Sequence, residues 1–167
     1  MAATKDNLSA AFAGESRANR KYLFFADKAD KEGHAQVARL FRAAADAETV
    51  HARNHLVVLE GIGSTEQNLQ EAVAGESDEF ENMYPMFIEQ AEKEGQEEAL
   101  RSFRKANAVE RIHHTLYSKA LEALQSEDTP KEEPYYVCQV CGNTVSSKAP
   151  AICPICGVPQ TMFKKID

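Results

Sequence analysis

Three features are missing from the sequence: an excess of basic residues, a long apolar run, and any cysteine before position 138. Its 19 basic residues do not balance its 26 acidic ones, and a net charge of -7 argues against nucleic acid or an anionic membrane as the main partner. It has no apolar run long enough for a signal peptide or a spanning helix, so we expect a cytoplasmic protein without a membrane partner. It also has no cysteine before position 138, and its four cysteines form two Cys-x-x-Cys pairs. In a reducing cytoplasm this spacing predicts a metal site and not disulfides.

The remaining composition is that of an ordinary folded protein. Hydrophobic residues make up 43% and charged residues 27% of 167 positions, which predicts one domain, or one domain with a small appendage. Apolar residues recur at three-and-four spacing from about Asp6 to Lys31, with Gly33 as a cap or turn, and again from about Val37 to Glu60. Each stretch predicts a long helix. We expect an aromatic stripe to lie in the core, made of Phe24, Phe25, Phe41, Phe87 and Phe103.

The order of residues then repeats 62 positions later. Residues 29–60 align with 91–122, including Lys31-Glu32-Gly33 with Lys93-Glu94-Gly95. Such extended agreement predicts a duplicated helix pair, and therefore an all-α four-helix bundle.

One residue has been inserted within the third helix. Ala-Gly-Glu-Ser at 13–16 matches 74–77 at an offset of 61, whereas Tyr22 matches Tyr84 at 62. A helix absorbs an extra residue as a π-turn, often at a functional site, so we predict one near Glu79 to Asn82. Pro85 in the same helix is expected to kink it or to accommodate the bulge.

Two copies of a Glu-x-x-His motif carry the chemistry of the helical part. Residues three apart share a helix face, so each copy directs a carboxylate and an imidazole to one point, and two such points make a two-metal site. A single glutamate is more often a solvated surface residue, but buried unpaired carboxylates are costly, and a set of five at interior positions predicts bound cations. The candidate ligands are Glu15, Glu48, His51, Glu76, Glu79, Glu110 and His113.

The C-terminal segment predicts a second, separate metal site. Residues 125–134 are polar or proline and predict an exposed linker, and the 33 residues from Tyr135 onward hold too few apolar groups for an independent core. Each Cys-x-x-Cys precedes a glycine, which lets the backbone turn so that its amides point at the sulfurs. Four thiolates suit zinc or a single iron, and the ligands alone do not distinguish the two metals. They are Cys138, Cys141, Cys153 and Cys156.

These residues together resemble the rubrerythrin family, in which a ferritin-like di-iron bundle precedes a rubredoxin-like domain. The resemblance covers nearly the whole chain and implies three segments: a ferritin-like di-iron four-helix bundle at 1–124, a linker at 125–134, and a rubredoxin-like four-cysteine iron domain at 135–167. One departure is Asn143, which stands where rubredoxins usually place an aromatic residue. The motifs are Ala-Gly-Glu-Ser at 13–16, both Glu-x-x-His copies, Gly75-Glu76 with Glu79, Met83-Tyr84-Pro85 and the cysteine framework.

The resemblance implies a peroxidase that reduces hydrogen peroxide to water in oxidative-stress defence. Its cofactors would be two non-haem irons with oxo and carboxylate bridges, and one iron in the four-cysteine site, where zinc is an alternative occupant. Electrons would come from NADH through an external carrier such as rubredoxin or its reductase, and pass through the iron of the four-cysteine site. The family also commonly forms head-to-tail homodimers, in which the four-cysteine centre of one subunit approaches the di-iron site of the other, sometimes with exchanged helices.

The resemblance also implies a role for each ligand. Glu48 and Glu110 would bridge the irons, Glu15 and Glu76 would be terminal ligands, and His113 would bind one iron throughout. The other iron would exchange between His51 when reduced and Glu79 when oxidised. Tyr22 and Tyr84 match tyrosines that hydrogen-bond ligand carboxylates. The residues expected to act in catalysis are therefore Glu79, His51, Tyr22 and Tyr84.

Two other functions fit parts of the sequence. A ferroxidase that oxidises and stores iron would need the bundle alone, but it has no use for a built-in electron entry. A non-enzymatic helical adaptor with a zinc ribbon would leave the inward glutamates unexplained, and it would be colourless where an Fe(III) tetrathiolate is red.

Overall fold

In the part of the chain that the structure describes, helices are followed by three short strands. The computed structural model describes residues 2–126 and 132–166. A π-helical turn, Glu79–Met83, joins α3 to α4, and a 3-10 turn, Gln160–Met162, precedes β3. The elements are α1 (Ala2–Lys31), α2 (Ala35–Val58), α3 (Thr65–Asp78), α4 (Tyr84–Lys93), α5 (Glu97–Gln125), β1 (Tyr135–Cys138), β2 (Thr144–Ser146) and β3 (Phe163–Ile166).

The predicted helices are confirmed with small shifts at their ends. The first begins at Ala2 instead of about Asp6, and the second ends at Val58 instead of about Glu60. The chain divides into two compact units, one up to Gly63 and one from Ser64 onward. Each unit is a helical hairpin, and the second also carries the strands.

In the first unit, α1 packs antiparallel to α2 through small residues. Ala26, Ala29 and Ala38 are buried near the turn, and Phe41 packs against them. Alanine lets two helix backbones approach closely, which leaves little room for water. Farther along, the buried Asn19 donates from Nδ2 to the Ala45 carbonyl at 2.7 Å and to Thr49 Oγ1 at 2.9 Å. These bonds fix the register of the two helices, since a buried amide without partners would be costly.

The expectation that the aromatic stripe is core is wrong for Phe24, Phe25 and Phe87. Phe24 is 66% exposed, and the other two are also exposed. Phe25 and Phe41 do contact each other, with ring centroids 5.5 Å apart. A pair of helices covers only one side of each helix, so rings directed away from that side stay uncovered within the unit.

In the second unit, α3 and α4 both pack on α5, and the π-turn lies between them. The predicted π-turn is confirmed, with Tyr84 N–H donating to the Glu79 carbonyl five residues back. Pro85 lies in the first turn of α4. A missing N–H costs least at a helix start, so the proline begins a new α-helical segment directly after the bulge.

The C-terminal strands form an antiparallel sheet in the order β2-β1-β3. Tyr135 pairs with Ser146 on one side and with Ile166 on the other. The sheet also contacts α5 through β2. Of the predicted linker at 125–134, Gln125 still belongs to α5, positions 126 and 132–134 are neither helix nor strand, and 127–131 lie outside the described residues.

Candidate metal centres

The four cysteine sulfurs converge in the C-terminal segment. Sγ of Cys138 lies 3.6 Å from that of Cys156, and Sγ of Cys141 lies 3.6 Å from that of Cys153. All four lie within 4.8 Å of one another. A tetrahedron with metal–sulfur bonds of about 2.3 Å has edges of about 3.8 Å, whereas a disulfide would bring two sulfurs to about 2 Å. The donor set therefore fits one tetrahedrally bound metal ion.

Two glycines shape the loops that carry these sulfurs. Gly142 has φ of +82° and Gly157 of +78°, and their N–H groups donate to the carbonyls of Cys138 and Cys153 at 2.9 Å. A residue with a Cβ atom is strained at such φ angles, whereas glycine is not. The predicted tight turns are therefore confirmed, with glycine at the positions that require it.

Hydrogen bonds to sulfur favour a thiolate at one position of the set. Burial acts to raise the pKa of the Cys153 thiol, but the backbone N–H groups of Cys156 and Ile155, with the sulfurs of Cys156 and Cys141, outweigh it and lower the pKa to about 6. Burial raises the pKa of Cys141 well above its usual value. Metal binding needs all four thiolates, so an ion must displace a proton from Cys141, whereas the lowered pKa of Cys153 favours its thiolate before the metal binds.

Asn143 adds a contact that sequence reasoning missed. Its side chain is 1% exposed, and its Nδ2 donates to Cys153 Sγ at 3.7 Å. The sequence marked Asn143 only as a departure from the aromatic residue usual there. No periodic pattern signals this bond, because it joins one cysteine loop to the other.

The first unit brings three of the predicted ligands together. Glu15 on α1 and Glu48 and His51 on α2 have ligand atoms within 4.8 Å of one another. His51 Nδ1 lies 2.8 Å from Glu48 Oε2. Two ligand atoms bound to one ion at about 2.1 Å lie about 3 Å apart when their bonds are perpendicular, so this spacing fits a shared metal. We call Glu15, Glu48 and His51 the first half-site.

The second unit repeats the arrangement. Glu76 on α3 and Glu110 and His113 on α5 also lie within 4.8 Å of one another, and we call them the second half-site. His113 Nδ1 lies 2.8 Å from Glu110 Oε2 and 3.8 Å from Glu76 Oε2. Two metal bonds of about 2.1 Å span at most about 4.2 Å, so one ion can reach all three atoms.

Crowded carboxylates make the second half-site unfavourable without a cation. Burial, then the charge of Glu110, a hydrogen bond with Glu110 and the charge of Glu79 raise the pKa of Glu76 to about 7. Burial, with Glu110 and Asp78, also raises the pKa of Glu79, although His113 opposes this. A bound metal ion would remove this repulsion, and the residues therefore fit the metals that the sequence predicts.

Of the other predicted catalytic residues, Glu79 and Tyr84 lie near the second half-site without joining it. Among the residues that the structure describes, Glu79 is not part of a three-ligand group, yet Glu110 and His113 act on its pKa. Burial and the charges of Glu110, Glu79 and Glu76 raise the pKa of Tyr84. Tyr22 contacts the rings of Phe25 and Phe41. Over the described residues, neither tyrosine hydroxyl makes the hydrogen bond to a ligand carboxylate that the resemblance implies.

A hydrogen bond joins the cysteine-rich segment to the second half-site. His113 Nε2 lies 3.0 Å from Oγ1 of Thr144, which is 31 residues farther along the chain in β2. Both residues border an apolar cavity of about 320 Å³. Sequence reasoning missed Thr144, because helical periodicity does not extend from a bundle into an appended segment.

Fold and sites together define a non-haem metalloprotein with duplicated carboxylate–histidine half-sites on helices and a tetrathiolate centre in an appended segment. Comparison with family models gives matches to rubrerythrin over residues 6–121 and to the rubrerythrin rubredoxin-like domain over 136–164. The chain belongs to the rubrerythrin family.

Individual relatives agree over nearly their full length. The chain is 39% identical to a rubrerythrin of Porphyromonas gingivalis, covering 96% of this chain and 88% of the relative, and 35% identical to rubrerythrin-2 of Clostridium acetobutylicum, covering 98% and 96%. A solved structure of partially reduced nigerythrin is 32% identical, with a TM-score of 0.60 over 98% of this chain and 86% of the other.

These comparisons confirm the predicted fold class, a ferritin-like four-helix bundle with a rubredoxin-like domain. Family membership implies an oxidoreductase with iron at the carboxylate–histidine and tetrathiolate centres. Within the described part of the chain, no helix is both long and apolar enough to cross a bilayer.

Proposed function

We propose that the chain is a di-iron peroxidase that reduces hydrogen peroxide to water in defence against oxidative stress. The observation that supports this most is the position of the cysteine-rich segment within the second unit. Strand β2 packs on α5, and Thr144 contacts His113, a candidate ligand. An iron-storage protein has no need for an electron entry beside its metal ligands, which makes a ferroxidase the weaker alternative.

In this proposal the half-sites combine into one di-iron centre. Glu48 and Glu110 would bridge the two irons, and Glu15 and Glu76 would be terminal ligands. The duplication supports this assignment, since equivalent positions in the two halves receive equivalent roles.

His113 would hold one iron throughout, while His51 and Glu79 would alternate as ligands of the other. The His51 side chain is 55% exposed within its unit, whereas that of His113 is 27% exposed. The freer imidazole is the one proposed to move. The π-turn begins at Glu79, the additional carboxylate that we propose for the second half-site.

The reaction consumes two electrons and two protons for each peroxide. A ferrous pair held by these residues would supply both electrons together, which would allow the O–O bond to be cleaved without release of hydroxyl radical. Burial raises the pKa of both Glu79 and Tyr84, which favours their protonated forms, and we propose these two groups as proton donors. In the reduced state Glu79 does not bind iron in this scheme, which leaves its carboxyl group free to carry a proton.

The remaining expectations belong to the same proposal. We propose an iron in the four-cysteine site, with zinc as an alternative occupant, and a rubredoxin-type donor that draws electrons from NADH. We further propose a cytoplasmic, head-to-tail homodimer, either with or without helices exchanged between subunits. The division into a bundle at 1–124, a linker at 125–134 and a four-cysteine domain at 135–167 is likewise proposed.

Anaerobic stopped-flow absorbance tests the function. Reduced, iron-loaded protein is mixed with hydrogen peroxide or with dioxygen, and the di-iron and red tetrathiolate bands are followed together. We expect peroxide to oxidise the di-iron centre much faster than dioxygen, after which the red band rises as the tetrathiolate iron gives up its electron. The variant Cys153→Ser should keep the first phase and lose the second.

Preferred oxidation by dioxygen with accumulation of mineral iron would instead favour the ferroxidase. A colourless protein that binds only zinc would favour the helical adaptor.

A further inference from the structure

Thr144 stands between the two kinds of metal centre. It is the third residue after Cys141 and the first of β2. Its Oγ1 lies 3.0 Å from the Gly142 carbonyl oxygen and 3.0 Å from His113 Nε2. One hydroxyl therefore contacts the backbone of a cysteine loop and the imidazole of the second half-site.

The partners of this hydroxyl fix the direction of both hydrogen bonds. A carbonyl oxygen can only accept, so the single hydroxyl proton of Thr144 is donated to Gly142. Oγ1 then offers only lone pairs to His113, and Nε2 of that ring must carry the hydrogen. In a neutral imidazole the other nitrogen, Nδ1, is left without one.

This unprotonated Nδ1 faces the carboxylates of the second half-site. Nδ1 lies 2.8 Å from Glu110 Oε2 and 3.8 Å from Glu76 Oε2. A lone pair facing two carboxylate oxygens is unfavourable unless a cation lies between them. This is the arrangement that a metal ligand needs, with one ring nitrogen held by an outer partner and the other free to bind.

We propose that Thr144 is a positioning residue that holds His113 in its Nε2–H form and aims Nδ1 at the metal of the second half-site. This inference rests on the di-iron centre of the proposed function, but not on its reaction with peroxide. It makes the C-terminal segment part of the helical metal site, in addition to its own tetrathiolate centre.

The first half-site has no such support. His51 Nδ1 contacts Glu48 as His113 Nδ1 contacts Glu110, but no hydrogen bond to His51 Nε2 occurs among the described residues. The apolar cavity beside His113 and Thr144 also strengthens their bond, because few competing polar groups surround it. Thr144 thus distinguishes two half-sites that have the same three ligand types.

Two variants of Thr144 and one control test the role. Thr144→Val removes the hydroxyl at nearly constant volume, and Thr144→Ser restores it. The control is Thr115→Val on α5, where the hydroxyl is exposed and bonds only to the Arg111 carbonyl of its own helix. The tautomer is measured on full-length protein with zinc at all of its metal sites, and metal affinity is measured on full-length protein with zinc in the four-cysteine site alone. Neither preparation requires iron or peroxide.

The first measurement is the tautomer of His113, by long-range proton–nitrogen NMR above the ordinary titration range of histidine. We expect the Nε2–H form in the wild type, Thr144→Ser and Thr115→Val, and a mixture of forms in Thr144→Val. A wild-type His113 with its hydrogen on Nδ1 would overturn the proposal without need of any variant.

The second measurement is Co(II) affinity, followed by the visible absorption of the bound ion. Loss of an outer partner of a ligating histidine typically weakens metal binding 10- to 100-fold, and we expect a loss of about that size at one of two Co(II) sites in Thr144→Val. Thr144→Ser and Thr115→Val should bind within about twofold of the wild type. Equal affinity in Thr144→Val and Thr115→Val, with zinc retained in both, would overturn the proposal while leaving the peroxidase function untouched.

Discussion

Removal of the metals should make the stability of the protein fall as pH rises, because of Glu76. Burial and neighbouring carboxylates raise the pKa of Glu76 from 4.5 to about 7 in the folded protein. Between these values the folded state holds a proton that the unfolded state has lost, so each rise in pH favours unfolding. Below about pH 4.5 both states are protonated and the stability is fully present, and it is lost as pH passes through about 7.

The size of the effect follows from the shift in pKa. At about 1.4 kcal/mol per unit, the difference corresponds to an upper limit of about 3 kcal/mol. The Glu76 side chain is 19% exposed and borders solvent, which screens part of the repulsion, so we expect a loss of about 1 to 2 kcal/mol.

Urea unfolding of chelator-treated protein, followed by helical circular dichroism at several pH values between about 4.5 and 8, measures this loss. Glu76→Gln removes the titrating group, so this variant should match the wild type near pH 5 and exceed its stability near pH 8. Glu71→Gln, an exposed change on the same helix, controls for the loss of one negative charge. Metal-loaded protein should show the opposite trend, since ligands must lose their protons to bind. Parallel pH profiles for the wild type and Glu76→Gln would refute the reasoning.

Three further changes test other parts of the structure. Asn19→Ala should cost about 1 to 3 kcal/mol in urea unfolding, because Thr49 Oγ1 loses its donor and the Ala45 carbonyl keeps only the side-chain donor from Thr49; unchanged stability would contradict this account of the register of α1 and α2. Asn143→Leu should lower the reduction potential of a tetrathiolate iron, measured by redox titration of the red band, because a donor to Cys153 Sγ favours the more negative reduced form. Glu79→Gln should slow oxidation of the di-iron centre by peroxide about 100-fold in stopped flow, if Glu79 carries a proton, whereas the exposed Glu81→Gln on the same π-turn should not.

The helices and the π-turn could be predicted because the two halves of the helical part can be aligned with each other. Two halves that align over 32 positions must form similar helices, and the change of offset from 61 to 62 locates an inserted residue between Ser77 and Tyr84. A helix that keeps the same contacts on both sides of an insertion has few ways to absorb it. The structure accordingly places the π-turn at Glu79–Met83, one residue longer than predicted.

Contacts made by the cysteine-rich segment, either within itself or with the helices, could not be predicted in this way. Thr144 and Asn143 belong to the cysteine-rich segment, where neither helical nor strand periodicity indicates which side chain faces which neighbour. The exposure of Phe24 was missed for a related reason. Periodicity identifies an apolar face, but it does not show which part of that face another element covers.

The difference between the two half-sites connects the duplication to the proposed chemistry. Their ligands are alike, one glutamate from the first helix of each pair and a Glu-x-x-His from the second, so the repeat alone would give two equal metal positions. What surrounds the ligands makes them unequal: His113 is held by Thr144, whereas His51 is more exposed and has no second partner in the described structure. The π-turn, which begins at Glu79, also occurs in one half only, whereas α1 is α-helical throughout Ala2–Lys31. A centre that exchanges one ligand during turnover needs one ion held firmly and another held by a side chain that can leave. In the proposed di-iron centre, the duplicated ligands would hold the two ions, and the unequal surroundings would determine which ion changes its ligand.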